Sequence, residues 1–392
     1  MIGFFRIAAP IALAALALTG CHKSDFPQYA ADYREYAYVT NGGSNTVTVV
    51  DVVHVRLDRE LLVGQNPVAV APSPTRNEVY VLNAGPATGS GSVSVIDAEK
   101  NQVVATIAVR RQPVSIDVDA LGELAYVANA DANSVSVVDL KQRREVAVIG
   151  AGEQPGAARI SPDGRTLVVA NRKGNSVTLI DAKSRAMRKV FEGCPGASDA
   201  SILPDSTKAF VTCSAGHQVM VLALARAAQP ATPQQAAQPA QPDKLEALLD
   251  VGLGPIHPAI KPDGGEVFVM NSAANTFSEI YNSTDEVGDS FLIGNQPVRS
   301  VVSADNSLLY VANQNSQYVN LYAIEDGKRA GWVHVGDGPV AMVFSAAGHL
   351  LLVADSGSDD VAVVRTSTRS IFTLLPAGRN PNAIAMKAFK TH

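Results

Sequence analysis

Four side chains carry the chemical reading of this chain: Asp199, His217, His257 and Arg299. A guanidinium offers a fixed fork of donors, and an imidazole can donate or accept. Arg299 and His257 would therefore suit an anionic or hydroxylated ligand, with Asp199 orienting an imidazole. His217, His257 and Asp199 also have the donor types of a metal site, but their spacing matches no metal motif and no metal is expected. Asp117 and Arg159 are charged residues on the same kind of segment. His54, His334, His349 and His392 fall at strand ends, turns or the terminus. HExxH, CxxCH and CxxC spacings do not occur, and no Ser-His-Asp set stands out from the many serines. No catalytic residue and no cofactor is expected. The competing reading is that isolated polar residues hydrogen-bond to loop carbonyls.

These residues stand out because the chain repeats and they break the repeat. The stretch AYVTNGGSNTVTVVD, residues 37–51, reads as strand, polar turn, strand. Its core returns as YVLN at Tyr80, YVAN at Tyr126, VVAN at Val168, FVTC at Phe210, FVMN at Phe268, YVAN at Tyr310 and LVAD at Leu352. The spacings are 42, 46, 42, 42, 58, 42 and 42 residues. Strand pattern at a period in the 40s indicates a propeller array.

Three more signals accompany each core. A Gly-x-x-Pro loop comes first, as at Gly64–Pro67, Gly152–Pro155, Gly252–Pro255, Gly294–Pro297, Gly336–Pro339 and Gly378–Pro381, with Arg110–Pro113 and Gly193-Cys194-Pro195 as degenerate copies. A short apolar strand and a hairpin turn follow, the turn reading Ser161-Pro-Asp-Gly164 or Lys261-Pro-Asp-Gly264. After YVxN come a third strand such as Ser134–Asp139 and a fourth. Asp51, Asp97, Asp139 and Asp181 end third strands, where Asp caps turns.

Counting each strand type predicts an all-β propeller of eight four-stranded antiparallel blades, seven being the alternative. The chain enters on a second strand and leaves on a first strand, Asn382 to Phe389. The last strand should therefore join the first blade and close the ring. Helix has no support, because no long segment shows a 3.6-residue period. An Ala/Gln/Pro-rich insertion at residues 226–243 accounts for the 58-residue spacing and reads as a surface loop between a third and a fourth strand.

In this arrangement the GxxP loops and the loops after YVxN share one rim, and the SPDG turns share the other. Four residues after YVxN most repeats carry Asn45, Asn133, Asn175, Asn275 or Gln317, but the fifth carries His217. Two residues after the GxxP proline stand Ala69, Ser115, Ala157, Ala341 and Ala383, but His257 and Arg299 in the sixth and seventh units. In the unit opening at Gly193 the first strand is expected to gain two residues and to carry Asp199.

The N-terminus is a leader, not fold. Arg6 precedes an apolar run, Ile7 to Leu18, too short to span a bilayer comfortably. It ends in Leu18-Thr19-Gly20-Cys21, which resembles a bacterial lipobox. That resemblance implies a signal peptide at residues 1–20, lipidation of Cys21, a tether over 21–35 and a single propeller domain over 36–392. His22 after the cysteine implies the outer membrane, facing the periplasm. Cys194 and Cys213 are then an even pair in an oxidising compartment, flanking one hairpin at the same end; they form either a disulfide or two buried thiols. The composition, 46% hydrophobic and 18% charged with a net charge of −5, suits a globular chain and shows no basic stripe for nucleic acid.

The YVTN cores, GxxP loops, SPDG turns and 42-residue period resemble the YVTN-family β-propeller repeat proteins over residues 36–389. The resemblance extends to the cytochrome d1 propeller and to lactonase-type propellers. It implies a cell-envelope protein and leaves function to the site. The favoured expectation is a monomeric, lipid-anchored, non-catalytic binding or scaffold module for an envelope protein or a small polar ligand. The alternatives are a periplasmic lactonase or other hydrolase and a haem or tetrapyrrole binder, whose axial ligand would be a rim histidine.

Overall fold

In each repeat, apolar residues alternate along short segments punctuated by Gly, Pro and Asn, so each repeat folds into a small twisted antiparallel sheet that must bury both faces on its neighbours. The computed structural model describes residues 27–228 and 239–391 and arranges them as an eight-bladed β-propeller. Blade 2 runs from inside outwards as Pro67–Pro72, Glu78–Asn83, Ser90–Asp97 and Gln102–Arg111. Blades 3 to 8 begin at the innermost strands Pro113–Val118, Pro155–Ile160, Ala197–Ile202, Pro255–Ile260, Pro297–Val302 and Pro339–Phe344. Blade 1 is composite: Tyr33–Asn41, Thr46–Asp51 and Arg56–Leu62 receive Pro381–Lys390 as their innermost strand. The pairing runs from Tyr33 with Lys390 to Asn41 with Pro381, so the ring closes through the C-terminal strand. A single 3₁₀ turn, Ala130–Ala132, is the only helical element among the described residues.

The asparagine of YVxN explains why the GxxP glycine recurs. Asn171 is fully buried, and its Nδ2 donates to Thr178 Oγ1 on the third strand (2.9 Å) while its Oδ1 accepts from the Gly152 N–H (3.0 Å). The two residues touch so closely that a Cβ on Gly152 would lie 2.6 Å from Asn171 Cγ. Gly64 with Asn83 and Gly252 with Asn271 repeat the contact. In blade 5 the same two places are held by Cys194 and Cys213, which form a disulfide with Cα atoms 4.8 Å apart. In blade 8 Asp355 takes the asparagine's place and accepts from the Gly336 N–H (3.0 Å).

This register corrects the expected alignment of blade 5. Ala197 pairs with Cys213 as Pro155 pairs with Asn171. Cys194 therefore stands at the glycine position, Ala197 at the proline position, and the innermost strand gains no residues. Pro195 is a displaced proline, not the repeat's own.

The first strand begins at Tyr33, inside the stretch expected as tether. Glu35 is fully buried there and accepts from Tyr33 Oη (2.9 Å) and the Ala346 N–H (2.6 Å). The signal peptide and Cys21 lie outside the described residues, as do residues 229–238 of the insertion. The described base of that insertion is pinned: Arg226 bridges Gln241, and Asp243 accepts from Arg188 Nη2 and the Ala225 N–H, both at 2.8 Å. The strand-ending Asp181 accepts from the Ser184 N–H at 2.7 Å, a turn-capping bond also made by Asp97 and Asp139.

Candidate functional site in the central channel

Each innermost strand starts with a β-bulge at its proline position, and the residue two further on pairs with the third residue of YVxN. Around the ring this position holds Ala69, Ser115, Ala157, Asp199, His257, Arg299, Ala341 and Ala383. Five of the eight are small, and the three that are not occupy consecutive blades 5, 6 and 7. Two residues on, at the next same-face position, stand Asp117 and Arg159 in blades 3 and 4. The cluster is thus five polar side chains on five adjacent strands facing the ring centre.

Four of the five form one chain of contacts. Arg159 Nη2 donates to Asp199 Oδ1 at 2.7 Å, and the Ala200 N–H donates to the same oxygen at 2.9 Å. Asp199 Oδ2 lies 3.3 Å from His257 Nδ1. Arg299 Nη1 lies 3.0 Å from that same Nδ1 and 3.8 Å from Asp199 Oδ2. One ring nitrogen cannot both donate to the carboxylate and accept from the guanidinium, so His257 Nδ1 serves one partner at a time. On the far side Asp117 Oδ2 accepts from the Ile160 N–H (2.9 Å).

The electrostatics follow from enclosure plus pairing. Burial alone would raise the Asp199 carboxyl, but Arg159, His257 and Arg299 outweigh it and hold it well below the usual carboxylate range. Burial, reinforced by Arg299, pushes His257 down against the pull of Asp199, which favours a neutral imidazole. Burial raises Asp117 against the opposing charge of Arg159. Asp199 raises Arg159, whereas burial lowers Arg299 despite Asp199. Arg159 is thus matched by a hydrogen-bonded carboxylate and Arg299 is not. The Arg299 side chain also keeps 43% of its surface open, the most exposed of the four in the Arg159–Asp199–His257–Arg299 chain.

Asp199, His257 and Arg299 are therefore brought together, and His217 is not placed among them. His217 sits in a left-handed loop position (φ 57°), and its Nδ1 accepts from the Gly254 N–H at 3.3 Å. Asn45, Asn133, Asn175 and Asn275 each give the equivalent GxxP loop the same bond through Oδ1. The imidazole substitutes for a repeat asparagine in a structural task. Among the described residues no group of three or more His, Cys, Asp or Glu is placed to hold a metal ion. Arg159 was visible in the sequence as a charged strand residue. Its partnership with Asp199 depended on the blade 5 register that Pro195 obscured.

No protein-family model and no curated protein sequence matches the chain. Solved structures do. The dihydro-haem d1 dehydrogenase NirN, in complex with DHE, is 17% identical, with a TM-score of 0.70 over 92% of this chain and 76% of NirN. Hydrazine synthase of Kuenenia stuttgartiensis is 20% identical, with a TM-score of 0.58 over 81% of this chain and 99% of that one. A protein from Bacteroides uniformis described as a candidate 6-phosphogluconolactonase is 16% identical, with a TM-score of 0.58 over 91% of this chain and all of its own. At these identities the likeness is one of architecture, and the architecture shared is the bacterial β-propeller.

Proposed function

We propose that the chain is a lipid-anchored envelope propeller of the YVTN-repeat type that binds a small anionic ligand at its central channel without transforming it. The observation that carries this reading is Arg299: a guanidinium on an innermost strand, held by an imidazole nitrogen and lacking a hydrogen-bonded carboxylate of its own. Its fork suits a carboxylate or phosphate, and Arg159, Asp199 and His257 fix its surroundings. Nothing in the cluster pairs a nucleophile with a base, which favours binding over turnover. Cys21 and the apolar run before it support anchoring to a membrane with the propeller in the periplasm, outer membrane before inner.

Titration calorimetry of the purified protein with succinate and citrate tests the site. Binding of at least one is expected, weakened tenfold or more in Arg299→Gln; equal affinity in the variant, or no heat with either at millimolar concentration, counts against it.

A second reading is a tetrapyrrole with carboxylate side chains, favoured by the TM-score of 0.70 to NirN, a structure holding DHE. Arg299 would meet a carboxylate and the neutral His257 would offer a ring nitrogen. A haem titration that leaves the Soret band at its free position removes this alternative.

A further inference from the structure

The eight blade-to-blade contacts are built alike except one. The residue third from the end of each third strand shares a buried cluster with the residue second from the end of the next blade's third strand. Val49 meets Ile96, Val95 meets Val138, Val137 meets Ile180 and Leu179 meets Leu222 in successive buried clusters. Val221 with Ile280, Leu321 with Val364 and Val363 with Val50 continue the series. Between blades 6 and 7 the two positions hold Glu279 and Tyr322.

Neither polar group has a protein hydrogen-bond partner among the described residues. Glu279 is 7% exposed, and what its carboxylate keeps open faces the cavity rather than a donor. Tyr322 is 2% exposed, and its hydroxyl is buried without a hydrogen-bond partner. A buried hydroxyl left without a partner is destabilising, and a poorly hydrated carboxylate without a cation more so. Both line a cavity of about 660 Å³ that opens between the two blades on the hairpin-turn side. Its wall also carries Glu266, Asp289, Tyr281 and Phe291. Asp305, Glu325 and Asp326 stand at its edge, and Lys261 is the one cationic side chain of the lining, already shared between Asp263 and Glu266 at 3.4 Å each. Burial, Glu266 and Asp289 push the Glu279 carboxyl up to about 7, as expected of a carboxylate short of a cation.

We infer that this cavity binds an alkylammonium group, with Glu279 as its counter-ion, the Tyr322 hydroxyl beside it and the aromatic walls against its methylene chain. Carboxylates supply the charge-assisted bonds, and ring faces favour a desolvated cation. No metal-holding group is present among the described residues, so an organic cation suits the wall better than an ion. The site is separate from the channel cluster, and it stands or falls independently of the anion-binding reading.

The ammonium could belong to a free diamine or to a lysine side chain of a peptide. Calorimetry on the whole chain should therefore use cadaverine, acetyl-lysine-amide and the uncharged 1,5-pentanediol. One of the two amines is expected to bind with one-to-one stoichiometry, at least tenfold more weakly to Glu279→Gln, while the diol gives no heat. Tighter binding of cadaverine points to a free amine and tighter binding of the lysine compound to a peptide; either supports the inference. Glu279→Val restores the aliphatic of the other seven blades, so it should abolish binding without lowering the Tm. Absence of binding by both amines, equal binding by the diol, or undiminished binding in Glu279→Gln overturns it.

Discussion

Replacing Asp355 by asparagine should stabilise the protein at neutral pH and not in acid. Asp355 is fully buried in the place where six blades carry asparagine, and it faces Asp360 across its hairpin. Burial, followed by the charge of Asp360, pushes its carboxyl up to about 9. The folded protein therefore keeps this proton at pH 7, whereas the unfolded chain releases it near the usual carboxylate pKa of about 3.9. Between those two values the folded state holds the extra proton, so stability falls as pH rises, by about 1.4 kcal/mol per unit. By pH 7 the cost is about 4 kcal/mol relative to pH 4. An asparagine has no proton to lose, can still accept from the Gly336 N–H, and can donate to Asp360. The assay is thermal or urea unfolding of both proteins from pH 4 to 8. Asp355→Asn should match the parent near pH 4 and exceed it progressively above pH 5. A stability difference that is constant across this range would falsify the assignment of a protonated Asp355.

Three further outcomes are expected. Deleting residues 382–392 removes all of the strand paired with Tyr33–Asn41 except Pro381, so amide exchange should speed up across that distant strand and the Tm should fall; unchanged protection there refutes closure. Reducing the Cys194–Cys213 bond should cost about 3 kcal/mol, the scale for a loop of this length. Met220 stands where other blades offer the asparagine a hydroxyl, such as Thr178, so the triple variant C194G, C213N, M220S should retain more stability than C194A, C213A, as unfolding midpoints will tell. Cys21→Ser should move the protein from the membrane fraction to the soluble periplasm, and unaltered fractionation would remove the lipid anchor.

The ring was legible because a propeller writes its architecture as repetition. Period, strand alternation and turn residues recur eight times, and the chain begins and ends on complementary strands. What was harder to read is what depends on register. Pro195 sits two residues before the position it mimics, which hid that Asp199 occupies the same place as His257 and Arg299. His217 looked chemical because it replaces an asparagine, yet one imidazole nitrogen performs that asparagine's hydrogen bond. Glu279 breaks an aliphatic column rather than a loop, and only the stacking of third strands across blades makes that column visible. Asp355 keeps the shape of an asparagine but carries an ionisable oxygen in place of the amide nitrogen, a difference that burial turns into energy.

The pairing that closes the ring also sets a direction. Thr391 donates its N–H to the Asp32 carbonyl, and Tyr29 Oη lies 3.3 Å from His349 in the blade 8 hairpin turn. The first and last described residues therefore lie at the hairpin-turn rim, while the bulges that carry Asp199, His257 and Arg299 lie towards the other. If the proposed lipid anchor at Cys21 holds the body by its N-terminus, the residues of the channel cluster lie on the side away from the point of attachment. Anything reaching Arg299 by the nearer mouth would then approach from the side opposite that anchor, and the cavity at Glu279 opens on the rim where Tyr29 and Thr391 lie.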